Sequence, residues 1–169
     1  MSHPVQQLKK VLTHAPNGLS ERYRVREFDE TKFSLEVDSW LTIHNSVLAE
    51  LSTGSRGREW SNADFLREFP GVVSNERPNR EQIWFAESSE TEKRSPVGTI
   101  SCSFDWANHQ AAVNWLAVSV DHRRNGVATV LLEAVERSCW QHGIRTVVLS
   151  TLSSWQPAAK FYAKHGYKA

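Results

Sequence analysis

Residues 123–129 have the composition of an anion-binding loop, with two arginines, an asparagine and the small residues Gly126 and Ala128. They follow a run of β-formers that reads as a buried strand and precede apolar residues at helical spacing. A helix that begins directly after such a turn exposes unpaired backbone N–H groups and its positive dipole end. Small side chains let a ligand approach that backbone, so the loop predicts a phosphate or pyrophosphate site.

The composition is typical of one globular domain, with 169 residues, 40% hydrophobic, 23% charged and a formal net charge of +1. The near-neutral charge argues against nucleic acid as the main partner. No apolar stretch approaches the ~20 residues of a membrane span, and the first residues lack the apolar core of a secretory signal. Cys102, Cys139 and the seven histidines show no metal-ligand spacing. We therefore expect free core thiols, no metal and a cytoplasmic location.

The hydrophobic pattern divides the chain into an N-terminal arm, residues 1–20, and a domain, residues 21–169. The arm begins with a short helical possibility at residues 5–12. The rest predicts the order β, α, α, β, β, β, α, β, α, in which Pro70 and Gly71 end the second helix. Antiparallel neighbours come early and a βαβ crossover comes late, so we expect an α/β (α+β) protein with a mixed, mostly antiparallel sheet flanked by helices.

Two segments carry a resemblance to a known family. Arg123-x-x-Gly126-x-Ala128 is similar to the Arg/Gln-x-x-Gly-x-Gly/Ala signature of the GNAT superfamily of N-acetyltransferases. Residues 155–167, with Tyr162 near their centre, are similar to the family's penultimate helix, Asn-x-x-Ala-x-x-x-Tyr-x-Lys-x-Gly-Phe/Tyr. The resemblance implies the GNAT fold for residues 21–169. It also implies acetyl-CoA as co-substrate, and transfer of its acetyl group to a primary amine of a small molecule, peptide or protein.

The sequence departs from the family pattern at three points. Trp155 stands where the family often has asparagine, and Val120 replaces a proline common at the end of the strand. The sequence also stops soon after Gly166, where the family usually continues through two more strands. An uncovered sheet edge favours unwanted pairing, so we expect the N-terminal arm, or a second copy in a homodimer, to cover it.

The resemblance assigns roles to individual residues. The Leu116 amide would face the thioester carbonyl as part of the catalytic site, and Val118 would pair with pantetheine. The amides of Arg124 and of residues 126–129 would bind pyrophosphate. Tyr162 would be the general acid, since a phenol with a pKa of about 10 stays protonated near neutral pH. The full set expected to bind the cofactor is Leu116, Ala117, Val118, Arg123, Arg124, Asn125, Gly126, Val127, Ala128, Thr129, Trp155 and Tyr162.

The sequence leaves the general base and the acceptor open. Some family members use a glutamate on the strand before the turn, but Ala112 stands at that position here. Polar residues near the ends of the central strands are alternative bases acting through water, or the amine arrives already neutral; they are Glu87, Asp105, His109 and Asn114. Trp40 and Trp60 lie in the part of the chain that forms the acceptor side in this family and could shape an apolar pocket.

Other functions are also compatible with parts of the sequence. A non-catalytic module that binds or senses acyl-CoA would need only the loop, whereas Tyr162 favours an enzyme. A nucleotide-binding protein is disfavoured, because no Lys-Ser/Thr follows Gly126 and no Gly-x-Gly-x-x-Gly occurs. A serine hydrolase is disfavoured too, since no Gly-x-Ser-x-Gly is present.

Overall fold

A computed structural model describes residues 4–18, 20–51, 58–74, 81–90 and 94–169. Within these residues six strands form one sheet and five α-helices flank it. The strands are β1 Val5–Val11, β2 Tyr23–Glu27, β3 Gln82–Ser88, β4 Pro96–Asp105, β5 Gln110–Val118 and β6 Thr146–Leu152. The helices are α1 Phe33–Leu51, α2 Asn62–Glu68, α3 Pro70–Ser74, α4 Val127–Gln141 and α5 Gln156–Lys164.

The strands lie in the order β1-β6-β5-β4-β3-β2. Neighbours are antiparallel except β5 and β6, which are parallel and connected by α4. The predicted mixed, mostly antiparallel sheet is therefore confirmed. From β2 onward the predicted element order also agrees, with α3 as an addition.

The short helix suggested for residues 5–12 is wrong, because these residues contain an edge strand. β1 pairs with β6 along its whole length, from Val5 opposite Leu152 to Val11 opposite Thr146. Its central Leu8 is only 5% exposed and joins the core, and Lys9 forms a further bridge with Lys168. Pairing to a strand so distant in sequence outweighs a weak local helical pattern. The arm thus covers the edge of β6, as the first of the two alternatives expected.

A buried ion pair ties β1 to α4. The Lys10 Nζ donates to both carboxylate oxygens of Glu136 at 2.9 Å, and the Tyr167 hydroxyl donates to one of them at 3.0 Å. Glu136 is 4% exposed at its side chain, so these hydrogen bonds replace the water that its carboxylate loses on burial. The start and the end of the described chain are joined at this point.

The sheet separates two apolar cores. Side chains alternate between its faces, so on β3 Trp84 and Ala86 contribute to one core, whereas Ile83 and Phe85 contribute to the other. The first core includes residues of α4 and α5, and the second those of α1, α2 and α3. A gap between two strands of the sheet would therefore connect the α4/α5 side with the α1/α2 side.

Other local expectations can be compared directly. The second helix ends just before Pro70, as expected, with Glu68 as its last residue and Phe69 as its C-cap. Pro70 then begins the additional α3, since proline suits the first turn of a helix. Cys102 and Cys139 are buried and free, as expected. The predicted loop at residues 53–57 lies outside the described residues, as do most of the polar stretch before β3 and part of the β3–β4 connection. Where the structure is described, each helix is too short or too polar to cross a bilayer.

Candidate active site

The parallel strands β5 and β6 separate partway along their length. Their pairing ends at Val113 opposite Leu149, although β5 continues to Val118 and β6 to Leu152. Beyond that point β5 keeps its partner β4 and β6 keeps its partner β1. Within the described ranges, residues 114–118 thus have no strand partner on the β6 side. This opening presents backbone groups that an amide-containing ligand can pair with.

A β-bulge reshapes β5 at the opening. Asn114 pairs with Ser101 and Ala117 with Thr99, so Trp115 and Leu116 together oppose a single residue of β4. Trp115 adopts φ 52°, in the left-handed region that costs a bulky residue energy. The bulge turns this part of the strand away from regular pairing, and strained backbone of this kind concentrates at functional sites.

The loop after β5 leads into the N-terminus of α4. Gly126 is the N-cap residue at φ 84°, and an added Cβ would meet nothing within 4 Å, so the space above this backbone is open. Arg124 also has positive φ, at 61°. Val127 is buried against the sheet, whereas Ala128 and Thr129 are partly exposed. The geometry fits the pyrophosphate cradle predicted from the sequence, with free N–H groups at the positive end of a 15-residue helix.

The polar side chains of the loop have partners within the protein. Arg123 forms an ion pair with Glu50 of α1, and its Nε donates to the Val118 carbonyl at 3.2 Å. Asn125 accepts a hydrogen bond from the Arg22 Nη1 at 2.9 Å. The loop therefore offers a ligand its backbone and the exposed Arg124 side chain more readily than the Arg123 guanidinium.

Tyr162 lies on α5, and its side chain is part of an apolar core. Its side chain is 8% exposed and belongs to the apolar core that Leu116 and Val118 pack against. Burial raises the pKa of its phenol to about 12, so the hydroxyl stays protonated at neutral pH. The candidate acid thus belongs to the same apolar core that Leu116 and Val118, the strand residues assigned to the thioester, pack against.

The remaining expected ligand residues surround the opening less directly. Trp155 is the N-cap of α5, is 38% exposed and donates its backbone N–H to the Leu152 carbonyl at 3.0 Å. Thr129 Oγ1 lies 3.2 Å from His165 Nε2, which joins the first turn of α4 to the end of α5. Ala117 is 8% exposed and faces the second core, so only its backbone can take part in binding.

The candidate bases do not gather at the opening. Glu87 is buried in an ion pair with Arg26, at 2.5 Å. Asp105 accepts two hydrogen bonds from Asn108 in the β4–β5 turn, and these lower the pKa of its carboxyl. His109 belongs to the same turn, at the opposite end of β5 from Leu116. Asn114 is at the opening, but an amide does not accept a proton at neutral pH.

The structure places Trp60, which was expected at the acceptor side, in an aromatic cluster with His44 and Trp115, two residues that the sequence does not single out. The ring centroid of His44 lies 4.4 Å from that of Trp60 and 5.1 Å from that of Trp115. The centroids of Trp60 and Trp115 are 5.1 Å apart. The Trp115 Nε1 donates to Glu68 of α2 at 2.8 Å. Trp40, expected at the acceptor side, is fully buried behind His44. The i, i+4 spacing of residues 40 and 44 indicates a shared helix face, whereas α1, the loop before α2 and β5 meet only in the fold.

His44 stands out within this cluster. It is 4% exposed, and its Nε2 has no hydrogen-bond partner. Burial lowers its pKa to about 4, so the ring is neutral near pH 7. Across the described part of the chain no three His, Cys, Asp or Glu side chains come together as a metal site would require.

Solved structures share this fold at low sequence identity. An acetyltransferase of the GNAT family from Staphylococcus aureus Mu50 is 19% identical over 86% of this chain and 84% of its own, with a TM-score of 0.64. The PaiA N-acetyltransferase from Thermoplasma acidophilum, in complex with coenzyme A, is 16% identical over 86% of this chain and 89% of its own, with a TM-score of 0.67.

The ribosomal-protein-S18-alanine N-acetyltransferase from Escherichia coli is 16% identical over 86% of this chain and 77% of its own, with a TM-score of 0.62. Other matched structures are longer, and the chain spans 47% and 49% of two of them. No curated protein matches the sequence at a significant level. The family model for the acetyltransferase (GNAT) family matches residues 40–167. The chain therefore belongs to the GNAT acetyltransferase family.

Proposed function

We propose that the protein is an N-acetyltransferase that moves the acetyl group of acetyl-CoA to a primary amine by direct attack. The observation that carries the proposal is the opening between β5 and β6, which begins after Val113 and leads to the loop at Gly126. A thioester arm laid along β5 would place its phosphates at the N-terminus of α4. The fold family supplies the donor class, and the acceptor class rests on this proposal alone.

The backbone of β5 would hold and polarise the donor. The Leu116 N–H would donate to the thioester oxygen, where negative charge develops during attack. Val118 and Ala117 would pair with the amides of the pantetheine arm. A preorganised donor at such an oxygen contributes about 3 kcal/mol to catalysis. Because the bulge fixes Trp115 and Leu116, this donor need not reorganise during the reaction.

Tyr162 would complete the reaction as general acid. The amine nitrogen forms a bond to the carbonyl carbon, the carbon–sulfur bond breaks, and the departing thiolate takes the proton of the Tyr162 hydroxyl. The attacking nitrogen loses one proton to solvent, and the phenolate regains one from solvent. Burial keeps the phenol protonated at neutral pH, so its proton is still present when the thiolate forms.

Release of the coenzyme A thiol tests the proposal. We expect the protein to release thiol from acetyl-CoA when a primary amine is present, and to yield the N-acetyl product in equal amount. Tyr162→Phe should lower kcat by about 100-fold or more, because general acids contribute about 10²–10⁴-fold. Its Kd for coenzyme A, measured by calorimetry, should stay within about 3-fold, since the phosphates bind elsewhere.

Tyr167→Phe is the matched control. Tyr167 is also a buried phenol, 5.8 Å from Tyr162 between ring centroids, but its hydroxyl donates to Glu136 in the core. We expect this variant to lose stability and to keep its kcat at a temperature where it is folded. Equal losses of kcat in both variants would refute the acid role. Coenzyme A binding with no thiol release from any amine would instead show a non-catalytic module.

A further inference from the structure

The backbone of Trp115 needs a restraint. It lies in the left-handed region, at φ 52°, where a bulky residue is strained. Such strain persists only where the surrounding groups hold it in place. Burial alone does not supply that hold, since Trp115 is still 36% exposed. The groups that fix its indole therefore help to fix the bulge, and with it the N–H of Leu116, the next residue in the chain.

The indole of Trp115 is fixed by a hydrogen bond to α2. Its Nε1 donates to the Oε1 of Glu68 at 2.8 Å, and the two residues are 47 positions apart in the sequence. An indole has a single N–H, so this bond uses its whole capacity as a donor. The rings of His44 and Trp60 also contact the indole, but only the hydrogen bond determines where its N–H points. The contact joins the end of α2 directly to the bulge of β5.

Glu68 has no evident role in the stability of its own helix. It is exposed and is the last residue of α2, where the helix dipole disfavours a negative charge. In the described part of the chain it forms no ion pair. The helix is anchored instead by the buried Asp64, which completes a capping box with Ser61 and accepts two hydrogen bonds from Arg58 at 2.6 Å. α2 is thus a fixed support from which Glu68 reaches Trp115.

Resting on the proposed function, we propose that Glu68 is a positioning residue for acetyl transfer. Through the indole of Trp115 it holds the bulge of β5 in the conformation that directs the Leu116 N–H at the thioester oxygen. It neither touches the donor nor moves a proton. An exposed carboxylate of α2 thereby controls the backbone group that stabilises the negative charge formed during attack.

Two substitutions of Glu68 separate this role from that of a base. Glu68→Leu removes the hydrogen-bond acceptor, whereas Glu68→Gln keeps an oxygen that can accept from the indole and removes the charge. With the primary amine that gives the fastest thiol release, we expect Glu68→Leu to lower kcat about 10-fold or more, since losing such a donor outright costs about 10²–10³-fold. Glu68→Gln should recover kcat to within about 3-fold of the wild type, with the same pH profile, because it still holds the indole.

Glu59→Leu is the matched control, because it removes an exposed carboxylate just before α2 that has no hydrogen bond to β5 among the described residues. It should keep its kcat. Trp115→Phe removes the same hydrogen bond from the other side and should lower kcat as Glu68→Leu does. Adding Glu68→Leu to Trp115→Phe should cost less than about 2-fold more, since the two residues act through one contact.

Two results of these assays would overturn the proposal and leave the transferase function standing. One is a Glu68→Leu variant that turns over as fast as Glu59→Leu. The other is a Glu68→Gln variant that is as slow as Glu68→Leu and has an altered pH profile, because this would identify the carboxylate as a proton acceptor.

Measurements without turnover test the positioning role even if no amine releases thiol. In NMR spectra of the protein with acetyl-CoA bound, Glu68→Leu should shift the indole N–H signal of Trp115, which is assigned by its absence in Trp115→Phe, and the amide signal of Leu116. Calorimetry should show weaker binding of acetyl-CoA by about 3-fold and unchanged binding of coenzyme A, since only the acetyl oxygen meets the Leu116 N–H. An unmoved Leu116 signal, or equal losses for both ligands, overturns the positioning role whatever the outcome for acetyl transfer.

Discussion

Replacing Lys10 by methionine tests how strongly β1 is held in the fold. The change removes the cation that donates to both oxygens of Glu136 and keeps the length and apolar stem of the side chain. Glu136 stays almost fully buried in this variant. Of its two partners in the wild-type protein, Lys10 and Tyr167, it keeps only the Tyr167 hydroxyl. A buried carboxylate that loses its cation destabilises the folded state.

The structure sets the size of the expected effect. Breaking a buried ion pair by removing one partner costs about 3–5 kcal/mol. The Lys10 side chain is 25% exposed, so water can reach part of the site and reduce the cost. We therefore expect Lys10→Met to lower the free energy of unfolding by about 2–3 kcal/mol, which is roughly 5–10 °C in Tm for a chain of this size.

Urea denaturation followed by tryptophan fluorescence measures this loss, with the free energy extrapolated to water. Lys9→Met is the control, because Lys9 occupies the same strand with an exposed side chain and should change stability by less than about 0.5 kcal/mol. The double variant Lys10→Met, Glu136→Met should recover at least half of the loss, since an apolar pair tolerates burial. Equal effects of Lys10→Met and Lys9→Met would refute the reasoning.

Three further predictions concern the rest of the fold. Arg26→Met leaves two buried glutamates on β3 and α1 without their shared cation, so it should lower the free energy of unfolding by about 3–5 kcal/mol in urea; a loss no larger than that of the exposed Arg24→Met would contradict this. His44 has a folded pKa of about 4, below its ordinary 6.5, so the unfolded state binds more protons and stability should fall as pH drops from 6.5 towards 4. His44→Phe should flatten that decline in urea midpoints, and an unchanged slope would count against burial of the neutral ring. Gly98→Ala should lower the free energy of unfolding by about 1–3 kcal/mol, because the added Cβ would lie 2.8 Å from Val127 Cγ1. An unchanged Tm would contradict this and show that α4 shifts to make room for the methyl group.

The backbone of the loop before α4 was largely predictable because its signals are local. The break at Asp121, the left-handed glycine at 126 and the helix that follows are determined by residues close together in sequence. The same is true of α5, whose spacing places Tyr162 on its inner face. Local propensity and hydrophobic periodicity act over a few residues, so the elements that depend on them can be predicted from the sequence alone.

The aromatic cluster as a whole was not predictable, because its residues meet only through packing. His44, Trp60 and Trp115 come from a helix, a loop and a strand, and nothing in their spacing predicts that their rings touch. The left-handed backbone of Trp115 also has no local signal, since bulky residues normally avoid it. It follows from the bulge that β5 forms against β4.

The sequence by itself determined the order of elements from β2 onward apart from α3, the turn into α4 at Gly126 and the position of Tyr162 on α5, because each depends on short-range pattern. Tertiary structure alone decided that residues 5–11 form a strand and that the rings of His44, Trp60 and Trp115 meet. Lys10 and Glu136 are 126 positions apart, and their pairing exists only once β6 offers β1 an edge. In residues 5–11 the pairing with β6 and the ion pair with Glu136 outweigh the weak helical pattern. Both interactions join residues far apart in sequence, so neither can be predicted from a short segment.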